Sequence, residues 1–544
     1  MLKKVFQIIL ALLTITSCSM GSSNDSFVAS NKASTTPYGR YLKTVTYTLA
    51  HLTGVNNSNL PKGETYEDNA YTRYLLKKLN VQNKDVIEAY NTDYTSKVHH
   101  AILSKDIPDV MIVENLDDLD YLIEHNMIED LSDAYKNCAS KRIKDMYSSY
   151  GSSILDHVSK NGKLYAMPET NIDDGPNLFW CRYDWLKECG LKAPKTLSDV
   201  EQIVEVFRKK KHSDGLLADT ALTAGTGYSS EYLLNLYFAS ANVYPKQWIK
   251  QKDGSIRYDS INKNAKKVLA HLHTLYDKGI LDQHFLLRTS DNIVDEITSG
   301  KCGAFFGPWW VPNNPLIEAV KKNSKVQWMP YRIQTSTNGT TSYHSVNPSS
   351  KYVVVRKGFK HPEIIFKIIS VIFDYLRYDN KNVSSINRYY ALNVDPTARP
   401  ISINVDYRDA LTRSYRSIQW ILDGHQVTKN ISSINVSYAS ACQAYLNKSK
   451  KNQAENWAAY SSRIQALKLI DTKKVKRVEC VNIESNESSI KKTYYLTQLE
   501  NQTYLKIISG KASADSFDQF VKDWKENGGN ALTKEVEKDS HSTT

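Results

Sequence analysis

The stretch that decides the fold of this chain is Ile107-Pro108-Asp109-Val110-Met111-Ile112-Val113-Glu114. Its four consecutive apolar residues, Val110–Val113, form a short run after a proline, as expected for a parallel strand that is buried on both faces. Asp117, Asp118 and Asp120 come next, and we interpret them as the solvated first turn of a helix, where negative charge suits the helix dipole. A buried strand that leads directly into a helix predicts an α/β fold.

Glu114 stands apart from the acidic residues that follow it, because it comes immediately after the strand. In open α/β sheets, ligands collect beyond the carboxyl ends of the strands. Glu114 is therefore a candidate ligand-binding residue.

Other segments have the periodicity of core elements. An apolar helical face follows Ser198–Glu201, which we interpret as a capping box. Tyr352–Val355 reads as a strand, Ile364–Phe373 as a helix with a broad apolar stripe, and Phe517–Trp524 as a last helical stripe. We assign these segments to the core and give them no function.

The composition is that of a soluble globular protein. The 544 residues allow roughly three to five domains, or fewer large ones. Charged residues make up 24% of the chain and hydrophobic residues 41%, which excludes a disordered chain and a multi-span membrane protein. The formal net charge of +12 is spread along the chain without a long basic block, so we expect no nucleic-acid partner.

Seven cysteines contain no Cys-x-x-Cys pair, and no histidine has zinc-ligand spacing relative to them. We therefore expect no bound metal. A disulfide between Cys181 and Cys189 stays open, because the sequence does not give its geometry.

The amino terminus has the pattern of a processing signal. Lys3 and Lys4 precede an apolar run, Val5–Ile15, which is too short to span a bilayer. The run ends in Ile15-Thr16-Ser17-Cys18, which resembles the lipobox of bacterial lipoproteins. We expect a lipoprotein signal peptide over 1–17, lipidation of Cys18 and a flexible tether over 18–40; an ordinary secretion signal cleaved elsewhere is the alternative.

Enzyme signatures are absent from the sequence. It contains no Gly-x-Ser-x-Gly, no Walker loop and no His-Glu-x-x-His, and Gly225-Thr226-Gly227 lacks the third glycine of a dinucleotide loop. We predict a protein that is not an enzyme and needs no cofactor. A glycosidase built from two carboxylates that folding brings together stays open.

Aromatic residues are abundant, with 35 Tyr, 13 Phe and 9 Trp. Trp309 and Trp310 follow Gly307-Pro308, and a turn of this kind can present a ring rather than bury it. Aromatic rings stack on the apolar faces of sugars, while amides and carboxylates bind the hydroxyls. The alternative is that both tryptophans are packing residues.

Several segments along nearly the whole chain together resemble the extracellular solute-binding proteins, family 1, of bacterial ABC importers, in particular the long lipoproteins that bind oligosaccharides. Each segment alone is weak evidence for the resemblance, but the order and spacing of the segments together are specific to the family. The matching segments are Leu60–Gly63 with Asn69, Ile107–Met111, Gly162–Pro168, Arg182–Leu186, Gly190-Leu191, Pro194–Leu197, Ser299–Gly303, Phe306–Trp310, His361–Glu363 and Tyr504–Lys511.

The resemblance implies a two-lobed, periplasmic-binding-protein-like fold of type II, with a ligand cleft between discontinuous lobes that close by hinge bending. It places the N-terminal lobe at 41–168 and 345–405 and the C-terminal lobe at 169–344 and 406–535. We expect the chain to cross between the lobes just after Tyr165–Pro168, near Ser342–Asn347 and near Asp395–Asp409, and expect a disordered tail over 536–544.

The resemblance also implies the function and the site. The expected function is a lipid-anchored, monomeric substrate-binding component that captures an oligosaccharide at the outer face of the cytoplasmic membrane and delivers it to an ABC permease. The alternatives are a receptor for a peptide or other polar solute and a glycan-processing or adhesive surface lipoprotein. The residues implied to bind ligand are Tyr66, Asn69, Glu114, Asn115, Glu169, Asn171, Tyr228, Trp309, Trp310, Tyr343 and Asn347.

One segment departs from the family pattern. Many long members carry a calcium loop just after the helix that here ends in Phe207, but this chain has Lys209–Lys211 there. A calcium site needs several oxygen ligands and a net negative charge, and only Asp214 and Asp219 could contribute carboxylate ligands here. We expect no calcium at this position.

Overall fold

Strands and helices are interspersed over the first two thirds of the chain, as the α/β prediction requires, whereas the described part of the last third is mainly helical. The computed structural model describes residues 29–151, 153–218, 233–378, 384–392, 394–481 and 487–542. The strands are β1 (Val45–Leu52), β2 (Val81–Ala89), β3 (Val110–Val113), β4 (Ser159–Lys160), β5 (Lys163–Leu164), β6 (Met167–Pro168), β7 (Leu178–Arg182), β8 (Trp248–Lys250), β9 (Ile256–Tyr258), β10 (Ala304–Gly307), β11 (Trp328–Tyr331), β12 (Thr341–His344), β13 (Tyr352–Val355) and β14 (Val475–Val478). The α-helices are α1 (Ala70–Leu79), α2 (Asn91–Leu103), α3 (Leu116–Glu124), α4 (Ser132–Cys138), α5 (Lys141–Ser148), α6 (Ser153–Asp156), α7 (Tyr183–Glu188), α8 (Leu197–Lys211), α9 (Asn235–Ser240), α10 (Asn264–Asp277), α11 (Ser290–Ser299), α12 (Ile317–Lys322), α13 (Ile364–Ser370), α14 (Leu376–Tyr378), α15 (Ser384–Ala391), α16 (Ala410–Leu422), α17 (Ser433–Leu446), α18 (Gln453–Tyr460), α19 (Leu467–Ile470), α20 (Glu487–Ile508), α21 (Ser516–Trp524) and α22 (Asn530–Ser542).

A five-stranded sheet in the order β2-β1-β3-β13-β6 forms the centre of the first lobe. β1 is parallel to β2 and β3, whereas β13 is antiparallel to β3 and β6. All four residues of β3 are buried, which confirms the predicted two-sided strand. Helix α3 follows it, so the acidic residues do begin a helix. The carboxyl ends of β1, β2 and β3 therefore meet at one edge of the sheet.

The first hydrophobic core draws on two distant parts of the chain. Its buried residues run from Ala33 to Met167 and again from Tyr352 to Val405, and they include the predicted stripe of α13. The side-chain amine of Lys367, on α13, donates to the backbone carbonyls of residues 33, 36 and 39 at 2.6–2.9 Å. The expected flexible tether over 18–40 is thus wrong for residues 29–40, because buried contacts hold them against this core.

The second lobe is built on the antiparallel sheet β10-β7-β11. One core on this sheet combines residues from Phe179 to Ile333 with residues from Leu496 to Val536. Val536 is only 1% exposed and lies in α22, which continues to Ser542. The expected disordered tail is therefore wrong over 536–542, because this helix packs onto the second core.

One local expectation needs correction, and one possibility that the sequence left open is decided. The cap of α8 is Thr196 and not Ser198: the Thr196 hydroxyl accepts from the Asp199 amide at 3.2 Å, and Asp199 accepts from the Thr196 amide at 2.9 Å. Cys181 and Cys189 do not form a disulfide, since both are free, with Cys181 buried. Among the described residues, no helix combines the length and apolar character needed to cross a bilayer.

Candidate ligand-binding site

Three crossings of the chain join the lobes, and backbone hydrogen bonds hold them side by side. The first crossing, residues 169–173, lies between the other two. On one side, the amides of Glu169 and Asn171 donate to the carbonyls of residues 351 and 348 at 2.7 and 2.8 Å. On the other side, the amides of Thr170 and Asp173 donate to the carbonyls of residues 404 and 408 at 2.8 and 2.9 Å. The three crossings form a narrow hinge between the two separately packed cores.

Several predicted site residues meet at this hinge. The side-chain amide of Asn171 donates to the carbonyl of Asn347 at 2.9 Å. The hydroxyl of Tyr343 donates to the carboxylate of Asp173 at 2.7 Å, and Arg477 contacts the same carboxylate. These contacts connect the first crossing to the strand β12 and the segment that follows it.

Glu169 is the buried acid of the hinge. Its carboxylate accepts from the Asn404 amide at 3.2 Å and from the Ser350 hydroxyl at 3.3 Å. Burial raises the pKa of Glu169, while Lys351 and these hydrogen bonds act in the opposite direction. Glu169 therefore ties the second and third crossings together through one side chain.

A cavity of about 1100 Å³ opens between the lobes on the side of the third crossing. The first lobe contributes α5 and α14, the third crossing contributes Asp406 and Tyr407, and the second lobe contributes α16, the start of α17 and Trp309. Ligand pockets usually have volumes of roughly 300–1,000 Å³, so this space is sufficient for a ligand of several rings.

Trp309 lies at the wall of this cavity. Its indole NH donates to Asp174, in the segment after the first crossing, at 3.1 Å. The guanidinium of Arg463 lies 4.5 Å from the centre of the Trp309 ring and 4.2 Å from that of Tyr438. Trp309 is only 7% exposed and belongs to a hydrophobic cluster of the second lobe, against which Trp310 packs partly buried. Of the two tryptophans, Trp309 alone lines the cavity.

A second surface lies at the carboxyl ends of β1, β2 and β3, outside the lining of this cavity. Glu114 accepts there from the Thr95 hydroxyl at 2.7 Å, and Asn115 caps α3 by accepting from the Asp118 amide at 2.7 Å. Tyr90 directly follows β2 and is 49% exposed. Sequence reasoning missed Tyr90, although its place after an alternating strand was the available signal.

Tyr66 and Asn69 make hydrogen bonds that hold the local structure of the first lobe. Asn69 is fully buried and caps α1, and its amide donates to the carbonyls of Thr65, Tyr66 and Ala398 at 3.0–3.2 Å. The Tyr66 hydroxyl hydrogen-bonds to Ser58 at 2.9 Å within the first lobe. We leave both residues out of the proposed site. Tyr228 and Cys18 lie outside the described residues.

An arginine joins the carboxylates next to the segment where the family pattern places calcium. Arg288 contacts Asp282 at 2.7 Å, Glu296 at 2.8 Å and Asp214 at 3.4 Å. Burial and the neighbouring carboxylates raise the pKa of Asp214 to about 6. Asp219 lies outside the described residues, and within the described residues no cluster of histidine, cysteine and acidic side chains is arranged to hold a metal ion.

Comparison with known proteins identifies the family. The family of bacterial extracellular solute-binding proteins matches residues 75–354, which is more than half of the chain. The chain belongs to this bacterial extracellular solute-binding protein family.

Individual relatives are distant. The fructooligosaccharide ABC transporter substrate-binding protein FusA of Streptococcus pneumoniae serotype 4 is 24% identical over 241 residues, which cover 41% of this chain and 44% of FusA. Lipoprotein LipO of Bacillus subtilis is 29% identical over 157 residues, which cover 28% of this chain and 30% of LipO. The chain thus spans less than half of the length of either relative.

Solved structures share the whole fold. An extracellular solute-binding protein from Bifidobacterium longum subsp. infantis matches with a TM-score of 0.62 at 13% identity, covering 92% of this chain and 99% of that chain. This likeness confirms the predicted two-lobed fold.

Proposed function

We propose that this chain is the substrate-binding component of an ABC importer and that it captures an oligosaccharide between its lobes. The observation that carries the proposal is the hinge: three hydrogen-bonded crossings connect two separately packed cores beside a ligand-sized cavity. Bending at such a hinge encloses a ligand without rebuilding either core. The name of FusA, a fructooligosaccharide-binding relative, supports a saccharide as the ligand.

The proposed lobes have the bounds expected from the sequence, extended at both ends of the chain. The first lobe comprises 29–168 and 345–405, and the second lobe comprises 169–344 and 406–542. The proposed ligand site is the cavity that Trp309 lines, with Glu169, Asn171, Tyr343 and Asn347 at the hinge beside it. Glu114, Asn115 and Tyr90 form a second candidate surface at the sheet edge. Tyr228 and Trp310 stay as predictions from the sequence.

Capture and release require no covalent step. The family consists of solute-binding proteins, and the proposed site uses rings, amides and carboxylates to hold hydroxyl groups. We therefore include in the proposal that the chain binds its ligand unchanged and hands it, as a monomer, to a membrane permease.

Calorimetric titration with a panel of oligosaccharides tests the proposal, with the ligand recovered afterwards and analysed. We expect at least one saccharide to bind and to be recovered intact. A ligand present at a hundred times its dissociation constant should stabilise the fold by about 2.7 kcal/mol. Binding of peptides alone would contradict the proposal, and so would cleavage of the bound glycan.

The lipid anchor is a separate part of the proposal. It rests on the Ile15-Thr16-Ser17-Cys18 pattern and on the similarity to a protein named a lipoprotein. Replacing Cys18 by Ala should move the protein from the membrane fraction to the medium. A wild-type protein that is already free, with a mature N-terminus other than Cys18, would contradict the anchor and leave the binding proposal untouched.

A further inference from the structure

The walls of the inter-lobe cavity carry more basic than acidic groups. Eight lysine or arginine side chains and four aspartates line it. Each aspartate already contacts a base. The pairs are Asp145 with Lys141, Asp374 with Arg142, Asp406 with Arg377 and Asp409 with Arg413, at 2.6–2.9 Å.

Arg399, from the first lobe, lines this cavity without a carboxylate partner among the described residues. It is only 8% exposed, and its closest side-chain acceptor is the amide oxygen of Asn404 at 3.4 Å. The guanidinium lies 5.0 Å from the Phe373 ring, and its Nε is buried with no hydrogen-bond partner within the described part of the chain.

Arg463, from the second lobe, is in the same situation. Its guanidinium lies between the rings of Trp309 and Tyr438, and in the described structure it contacts no carboxylate. The Nε of this arginine is also buried without a hydrogen-bond partner among the described residues. Each lobe therefore presents one uncompensated guanidinium to the same cavity.

An uncompensated buried charge is unfavourable unless an opposite charge and hydrogen-bond acceptors come to it. The guanidinium group fits a carboxylate especially well, because its donors form a fork that binds both oxygens. The volume of about 1100 Å³ is far larger than an inorganic anion needs. Tyr378, Tyr407 and Tyr438 also line the cavity; a guanidinium already covers one face of each ring, and their hydroxyls can bind the hydroxyls of a sugar.

We infer that the captured saccharide is acidic, and that Arg399 and Arg463 bind its carboxylates from opposite lobes. This inference rests on the proposed function and specifies its substrate class as a uronate-containing oligosaccharide. Because the two arginines belong to different lobes, one ligand that binds both also holds the lobes together. The charge of the ligand then contributes to closure as well as to affinity.

The test compares short oligogalacturonates with their carboxyl-reduced, neutral counterparts by calorimetric titration at low and high ionic strength. We expect the acidic ligand to bind about tenfold or more tightly than the neutral one, and its affinity to fall as salt is added. Equal binding of both ligands would overturn the inference and leave the proposed function standing. If no saccharide binds, whether acidic or neutral, the proposed function itself is overturned.

Variants assign the effect to the two arginines. R399Q and R463Q should each weaken binding of the acidic ligand about tenfold or more and leave any neutral binding nearly unchanged. R416Q is the matched control, because Arg416 lines the same cavity but already contacts Asp471 at 2.5 Å. An equal loss in all three variants would contradict specific recognition by Arg399 and Arg463.

Thermal unfolding without ligand separates recognition from a structural role. Because R399Q removes an uncompensated charge, its melting temperature should equal or exceed that of the wild type. A large decrease together with unchanged affinity for the acidic ligand would show that Arg399 is structural and would overturn the inference. Inorganic sulfate is titrated in parallel, and saturation by sulfate with no binding of oligogalacturonate would also overturn it.

Discussion

Trp309 lines the inter-lobe cavity with the small part of its ring that is not buried, 7% of the residue, while its ring nitrogen is held by Asp174. One well-placed aromatic anchor often carries a large share of a binding energy. W309A should therefore weaken saccharide binding by about 2 kcal/mol or more, about thirtyfold in dissociation constant. Calorimetric titration of the folded variant measures this loss.

W310A is the matched control for that prediction, because Trp310 packs against the same hydrophobic cluster but does not line the cavity. Truncating either ring leaves a cavity and should lower the melting temperature, so the loss of affinity, expected in W309A and not in W310A, is the distinguishing result. Unchanged affinity in W309A would remove Trp309 from the site.

Glu169 makes the free energy of unfolding depend on pH, and the direction of its pKa shift sets the sign of that dependence. Burial raises its native pKa above the ordinary value of 4.5, so the native state holds a proton that the unfolded state has already released. The unfolding free energy of the wild type therefore falls through this titration as pH rises above about 4.5. E169Q lacks the titration and should become more stable relative to the wild type over the same range.

Denaturant unfolding of both proteins at several pH values measures this difference. A wild-type-to-variant difference that stays constant with pH would show that Glu169 ionises normally in the folded protein.

At the level of single residues, the sequence marks Trp309 but not Arg399 or Arg463. The Gly307-Pro308 turn is a local signal, and the structure fixes it through the Trp180 indole, which donates to the carbonyls of residues 307 and 308. The pairing of an arginine with a carboxylate depends on tertiary contacts. Among 70 lysines and arginines, no local pattern indicates which ones lack an acidic partner.

The N-terminal segment 29–40 depends on one buried side chain of α13. The amine of Lys367 is fully buried, and its contacts with three backbone carbonyls hold that segment in place. K367M would leave these carbonyls without their donor and should destabilise the protein by about 3 kcal/mol. Segment 29–40 should also become sensitive to proteolysis.

Denaturant unfolding and limited proteolysis check this prediction, with the exposed Lys360 replaced by Met as the control. Equal stability and equal cleavage of the two variants would show that Lys367 does not anchor the segment.

Elements with a strong local pattern could be predicted from the sequence, and elements fixed by distant contacts could not. β3 and the stripe of α13 are apolar because they are enclosed, so their residues alone identify them. The helix over Asn530–Ser542 is held by the second core, which starts far away at Phe179, and no local pattern shows that contact. The three crossings were expected from family resemblance and not from periodicity.

At the scale of the whole molecule, the proposed capture requires a change of shape that leaves the cores intact. Each core is packed within its own lobe, and the hinge between them consists of three short crossings with few backbone hydrogen bonds. A ligand that contacts both lobes binds the closed form better and shifts the population toward it. In the proposed function, the charged cavity supplies affinity for the ligand and the hinge allows the lobes to close.

The most direct test of this account is small-angle X-ray scattering of the monomeric protein with and without a saturating oligosaccharide, identified by titration. We predict that the radius of gyration decreases when the ligand binds, and that W309A shows a smaller decrease at the same ligand concentration. Saturated binding with an unchanged radius of gyration would contradict capture by closure of the two lobes.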